Sequence, residues 1–149
     1  MQAHLIIFIL AIFSMSSCKS KQVLTQNIQE EMLIIGHGGG FSGHSVEYRI
    51  FPDGHIIRQN SLDNSTEKMK SVTKEVYAQI ISNYHSLGLG NLEMNQPDNM
   101  YYYTIYHTEG KTQKLVWNTN DTSESQAKLQ LFFNTVLHKI GRASCRERV

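Results

Sequence analysis

Between Gly36 and Gly43 the chain reads Gly-His-Gly-Gly-Gly-Phe-Ser-Gly, five glycines around one phenylalanine, directly after the apolar run Met32 to Ile35. Glycines this dense mark backbone that needs positive φ or must approach something closely. The run before them then reads as a short strand that ends at a glycine loop. Beyond the loop, Ser45 to Phe51 sets Val46, Tyr48 and Ile50 against Glu47 and Arg49, the period of a strand with one buried and one wet face.

The remaining elements follow from period and punctuation. Pro52-Asp53-Gly54 is a turn in which proline presets φ and glycine tolerates the left-handed region, so His55 to Gln59 returns as the antiparallel partner. Asn60 to Lys70 is polar and carries no periodic signal. Thr73 is an N-cap with Glu75 in the first turn, and Val72 is placed to pack against Tyr77. Val76, Tyr77, Ile80, Ile81, Tyr84 and Leu87 recur at helical spacing, predicting a helix from about Lys74 to Leu87 that Gly88 or Gly90 stops. After Pro97-Asp98-Asn99, Met100 to His107 is rich in strand formers, and Thr108 to Lys111 turns the chain into a strand over Thr112 to Trp117. Ser123 with Gln126 is a capping box opening a last helix, with the stripe Leu129, Phe132, Phe133 and Val136. The order β-β-β-α-β-β-α implies an α+β fold, a small antiparallel sheet with both helices on one face.

Both ends of the chain stand apart from this domain. Leu5 to Phe13 is an unbroken apolar run with the length of a signal-peptide core, too short to span a bilayer, and Ser14 to Ser17 lead small-residue fashion into Cys18. This resembles a bacterial lipobox, in which residues 1–17 are removed and the Cys18 sulfur is acylated. Two or three acyl chains hold a protein on a membrane stably where one does not. Residues 18–31 then form a lipidated cysteine with a polar tether, and 32–140 the single domain. The expected location is the bacterial cell envelope, lipid-anchored to the periplasmic or surface leaflet of the outer membrane. At the other end, one frame of a common sequencing-adapter string encodes Ile140 to Val149 in order, so 141–149 is set aside from fold reasoning. The whole-chain charge of +1 then turns slightly acidic, because Arg142, Arg146 and Arg148 drop out, and this offers no electrostatic case for nucleic acid. Of the two cysteines, neither Cys18 nor Cys145 is left to staple the domain, which must be stabilised by a core.

Chemistry is sparse. His37, His44 and His55 lack the spacing of a metal site, and no cofactor is expected. The glycine run precedes a strand rather than a helix and has no Gly-Lys-Ser/Thr, which argues against a phosphate cradle. Ser42 lies in Gly-Phe-Ser-Gly, not in a nucleophile elbow, and Glu47, Asp53 and Asp98 fall on separate elements. No catalytic residue is assigned and no enzyme activity expected. Tyr101, Tyr103 and Ile105 share one strand face and Tyr102, Thr104 and Tyr106 the other. One set is core, and the other is either an exposed aromatic strip for a partner or cross-strand packing.

Gly39-Gly40-Phe41-Ser42-Gly43 after a short first strand resembles emfourin, a family of small protein inhibitors of thermolysin-type metallopeptidases. Their chains run strand, Gly-Gly-Phe-Ala-Gly, strand, helix, a Pro-Asp-x-Phe-x-Tyr-x-Ile-like strand, a further strand and a closing helix. Pro97 to Ile105 stands in the second motif's place with Met100 for its phenylalanine, and Leu115-Val116-Trp117 and the helix from Ser123 complete the order. Ser42 replaces alanine, and the Pro52-Asp53-Gly54 hairpin with its polar segment lengthens the first half. The resemblance implies a protein-binding function, with a metallopeptidase or another envelope protein as partner and Gly38, Gly39, Gly40, Phe41, Ser42 and Gly43 as the contact.

Overall fold

The computed structural model describes residues 31–120 and 122–145. Cys18, most of the tether and residues 146–149 lie outside the described residues. The elements are β1 (Met32–Gly39), β2 (His44–Ile50), β3 (Ile56–Asn60), β4 (Ser65–Met69), α1 (Lys74–Ser86), a short 3-10 turn (Leu89–Asn91), β5 (Met100–Thr108), β6 (Lys111–Trp117) and α2 (Glu124–Cys145). The six strands form one antiparallel sheet in the order β4-β3-β2-β1-β5-β6, so the fold is α+β with β1 at the centre.

Two features extend the expected order. β1 continues through Gly36–Gly39, so half of the glycine cluster is central strand rather than loop. The polar segment after Asn60 folds into β4, which pairs with β3 from Asn60↔Ser65 to Ile56↔Met69 and forms the sheet edge. An edge strand needs little buried surface of its own, and exposed polar and charged side chains such as Glu67 and Lys68 suit it to that position.

Both helices lie on one face. Leu33 and Ile35 of β1, Ile50, Ile56, Leu115 and Trp117 pack with Tyr77, Ile80 and Tyr84 of α1 and Leu129, Phe132, Phe133, Val136 and Ile140 of α2. Ile140 is therefore a core residue, while Gly141 beside it is exposed and α2 runs on to Cys145. The Tyr102, Thr104 and Tyr106 set faces the helices: the Tyr102 ring meets Phe133 edge-on at 5.1 Å, and Tyr106 and Phe132 flank Tyr84. Gln113 ties this layer together, accepting from the Tyr84 hydroxyl at 2.9 Å and donating to the carbonyls of Leu89 and Leu92.

Local signals act where they stand in the sequence. The Thr73 hydroxyl accepts from Val76 N–H, and Ser123 Oγ accepts from Gln126 N–H at 3.2 Å. Gln126 Nε2 donates to the Asn118 carbonyl and thereby joins α2 to the end of β6. α1 stops where Gly88 turns left-handed, φ 72°, and its N–H reaches the His85 carbonyl. The outer edge of β6 is covered by a parallel bridge, Val116 N–H to Met94 O and Gln96 N–H to Val116 O, each 2.9 Å.

Candidate functional site

The glycine cluster does two jobs, and the structure separates them. Gly36 and Gly38 sit on the helix-free face of β1, where Tyr103 and Tyr101 of β5 are their cross-strand partners. A Cβ at Gly36 would overlap the Tyr103 ring and the Val46 carbonyl, and one at Gly38 would press on the Tyr101 ring. The missing side chains thus let two tyrosine rings lie against the centre of the sheet. The Tyr101, Tyr103 and Ile105 set is therefore mainly cross-strand packing, with Tyr103 buried beside Ile34 and Val116. The Tyr103 hydroxyl donates to Glu47 Oε2 at 3.1 Å, and Glu47 Oε1 is held by Arg49 at 2.7 Å. Burial first, and the Glu47 charge second, raise the Tyr103 phenol well above its ordinary pKa, keeping it a donor.

The second job is the turn. Gly39 and Gly40 have φ of 111° and 74°, and Gly43 has φ of 61°, so the β1–β2 connection reverses through backbone that side chains would strain. Gly39 is also packed against the Asn99 carbonyl, with no room for a Cβ. Gly40 N–H donates to that same carbonyl at 2.6 Å, and Gly43 N–H closes the turn on Gly40 O at 3.1 Å. Phe41 occupies the tip at 111% relative exposure, as open as in an extended chain, with Ser42 exposed beside it. The strut behind the turn is itself braced: Asp98 accepts from Asn120 Nδ2 at 2.6 Å and Asn118 Nδ2 donates to the Gln96 carbonyl at 3.0 Å.

The three histidines do not converge. His37 and His44 lie near the turn on the helix side of the sheet. His55 lies at the opposite sheet end, stacked on Phe51 at 3.9 Å and bonded to Asp53 at 2.5 Å. Among the described residues no group of three or more His, Cys, Asp or Glu is placed to hold a metal ion. Glu47, Asp53 and Asp98 are likewise separate, on the open face, in the far turn and behind the glycine turn. His37 is half-buried, and burial, then His44 and Arg58, lower its pKa.

Two exposed apolar residues at the same sheet end were not singled out from sequence, Leu62 and Met100. The only signal for Leu62 was a large hydrophobe set among polar residues early in the stretch Asn60 to Lys70, whose other large hydrophobe, Met69, packs against the core. Met100 read as a strand former standing in place of the resembled motif's phenylalanine, with no contact role assigned to it. Among the described residues no helix is long and apolar enough to cross a membrane. Compared with protein-family profiles and with curated proteins, the chain matches none.

Proposed function

We propose that this chain is a protein-binding module of the bacterial cell envelope, anchored through acylated Cys18, that docks through Gly38, Gly39, Gly40, Phe41, Ser42 and Gly43. The most specific form of this reading is inhibition of a thermolysin-type metallopeptidase, as the resemblance implies. One observation carries it: a fully exposed phenylalanine at the tip of a turn whose backbone is fixed by the Asn99 carbonyl behind it. A ring left in water gains about 1.5–3 kcal/mol when a partner buries it. A turn already held in place loses little conformational freedom on binding, so more of that gain becomes affinity. The helix-free face supports a second reading, an envelope scaffold with no protease role, because Met32, Tyr101 and Ile105 leave apolar surface there. Titrating thermolysin with the chain separates the two. Stoichiometric, saturable inhibition is the expected result, and full peptidase activity at micromolar chain concentrations would leave only the scaffold.

A further inference from the structure

The glycine turn is not the only apolar feature at its end of the sheet. Among the described residues the large hydrophobic side chains left exposed are Phe41, Leu62, Met100 and Leu131, the last three at 70%, 50% and 59%. Three of these four share one sheet end. Gly39 pairs with both His44 and Met100, so Met100 opens β5 directly beside the turn. Leu62 lies in the β3–β4 loop closed by Asn60↔Ser65. That loop is tied to the start of β2, with Ser61 N–H donating to Ser45 O at 2.9 Å and Ser45 N–H to Ser61 Oγ at 2.7 Å. At a strand spacing of about 4.8 Å, the strand order sets the two hairpin tips about 10 Å apart and Met100 about 7 Å from the Phe41 turn.

The Leu62 loop is as well fixed as the glycine turn. Leu62 N–H donates to Asn60 Oδ1 and Ser65 N–H to Asp63 Oδ1, both at 3.0 Å, and Asn64 takes the left-handed conformation with φ 53°. Charge narrows the occupant. The stretches 40–43, 61–64 and 97–100 contain neither lysine nor arginine; of their two carboxylates Asp98 is tied to Asn120 behind the turn, and Asp63, with Arg58 of β3 as its nearest cationic influence, is the exposed charge of the Leu62 loop. A bacterial membrane surface recruits basic loops, and a second copy of the same rim would bring carboxylates against carboxylates. We infer that Phe41, Leu62 and Met100 form one convex docking rim, occupied by a protein whose concave apolar cleft is edged by basic side chains or a bound cation. This rests on the glycine turn being a binding element and adds the β3–β4 hairpin to it.

The probe is thermolysin, and the chain is used from Lys19 onward, a piece that contains every residue of both buried clusters. Leu62→Ala and Met100→Ala should each weaken inhibition about tenfold at unchanged melting temperature, while Leu131→Ala, on the outer side of α2, changes neither. Asp63→Asn, which keeps the acceptor for Ser65 N–H, should weaken inhibition and reduce its salt dependence. Full inhibition by Leu62→Ala and Met100→Ala beside a loss in Phe41→Ala would overturn the shared rim and leave the turn standing. Leu62-dependent flotation with phosphatidylethanolamine–phosphatidylglycerol vesicles would overturn the protein cleft in favour of a membrane. If the unsubstituted chain fails to inhibit, the rim falls together with the proposed function.

Discussion

Gly36 and His37 are neighbours with opposite sensitivities. A methyl group at Gly36 must displace the Tyr103 ring or the Val46 carbonyl, both fixed in the centre of the sheet, so Gly36→Ala should destabilise by about 1–3 kcal/mol, the usual cost of overpacking. Equilibrium denaturation measures it, and an unchanged midpoint would refute the close approach. His37 instead carries a pH dependence. Its half-buried imidazole faces His44, Arg58 and the Tyr102 ring, and the cation loses water and gains like-charged neighbours, so the folded pKa lies below 6.5. Between that value and 6.5 the unfolded chain binds more protons than the folded one, and stability therefore rises with pH across the window. His107, also depressed chiefly by burial, acts in the same direction. The melting temperature should fall as pH is lowered from about 7.5 to about 5.5, and His37→Gln should flatten part of that fall. An identical slope in His37→Gln would remove the assignment.

At the scale of elements, what could be read from sequence was whatever is encoded within a few residues. The Pro52-Asp53-Gly54 hairpin, the Thr73 cap and the two apolar helix stripes are such features, and each stands where its own residues put it. Ser123→Ala should cost about 1 kcal/mol, since it removes the acceptor for Gln126 N–H while the Gln126 side chain keeps its bond to Asn118. A loss well under half of that would mean that the Asn118 link, not the cap, fixes the start of α2. The glycine strand could not be read locally, because what makes glycine favourable at positions 36 and 38 is a pair of tyrosine rings brought over from β5. β4 was hidden for another reason: it is an edge strand whose side chains are mostly exposed, so it needs no alternating pattern. The site divides in the same way. Phe41 was legible from its glycine flanks, whereas Leu62 and Met100 join it only through the strand order.

For the whole molecule, the direction of β1 has a consequence. Its first residue adjoins the end of the chain that leads back to Cys18, and its last enters the turn bearing Phe41, so about 23 Å of strand separates the two at the usual rise. An anchor on Cys18 would thus join the domain at the end of β1 opposite the glycine turn. Mass spectrometry of the membrane fraction should find acyl chains on Cys18 as the first residue, and an unmodified N-terminus upstream of it would contradict the anchor. The central claim is that the glycine turn exists to present Phe41 rather than to bury it. Measuring melting temperature and thermolysin inhibition together for Phe41→Ala tests it most directly. The account predicts an unchanged melting temperature, because the ring touches no core, with inhibition weakened roughly thirtyfold or more. A core-sized loss of about 3 kcal/mol in stability, with inhibition per folded molecule intact, would contradict it.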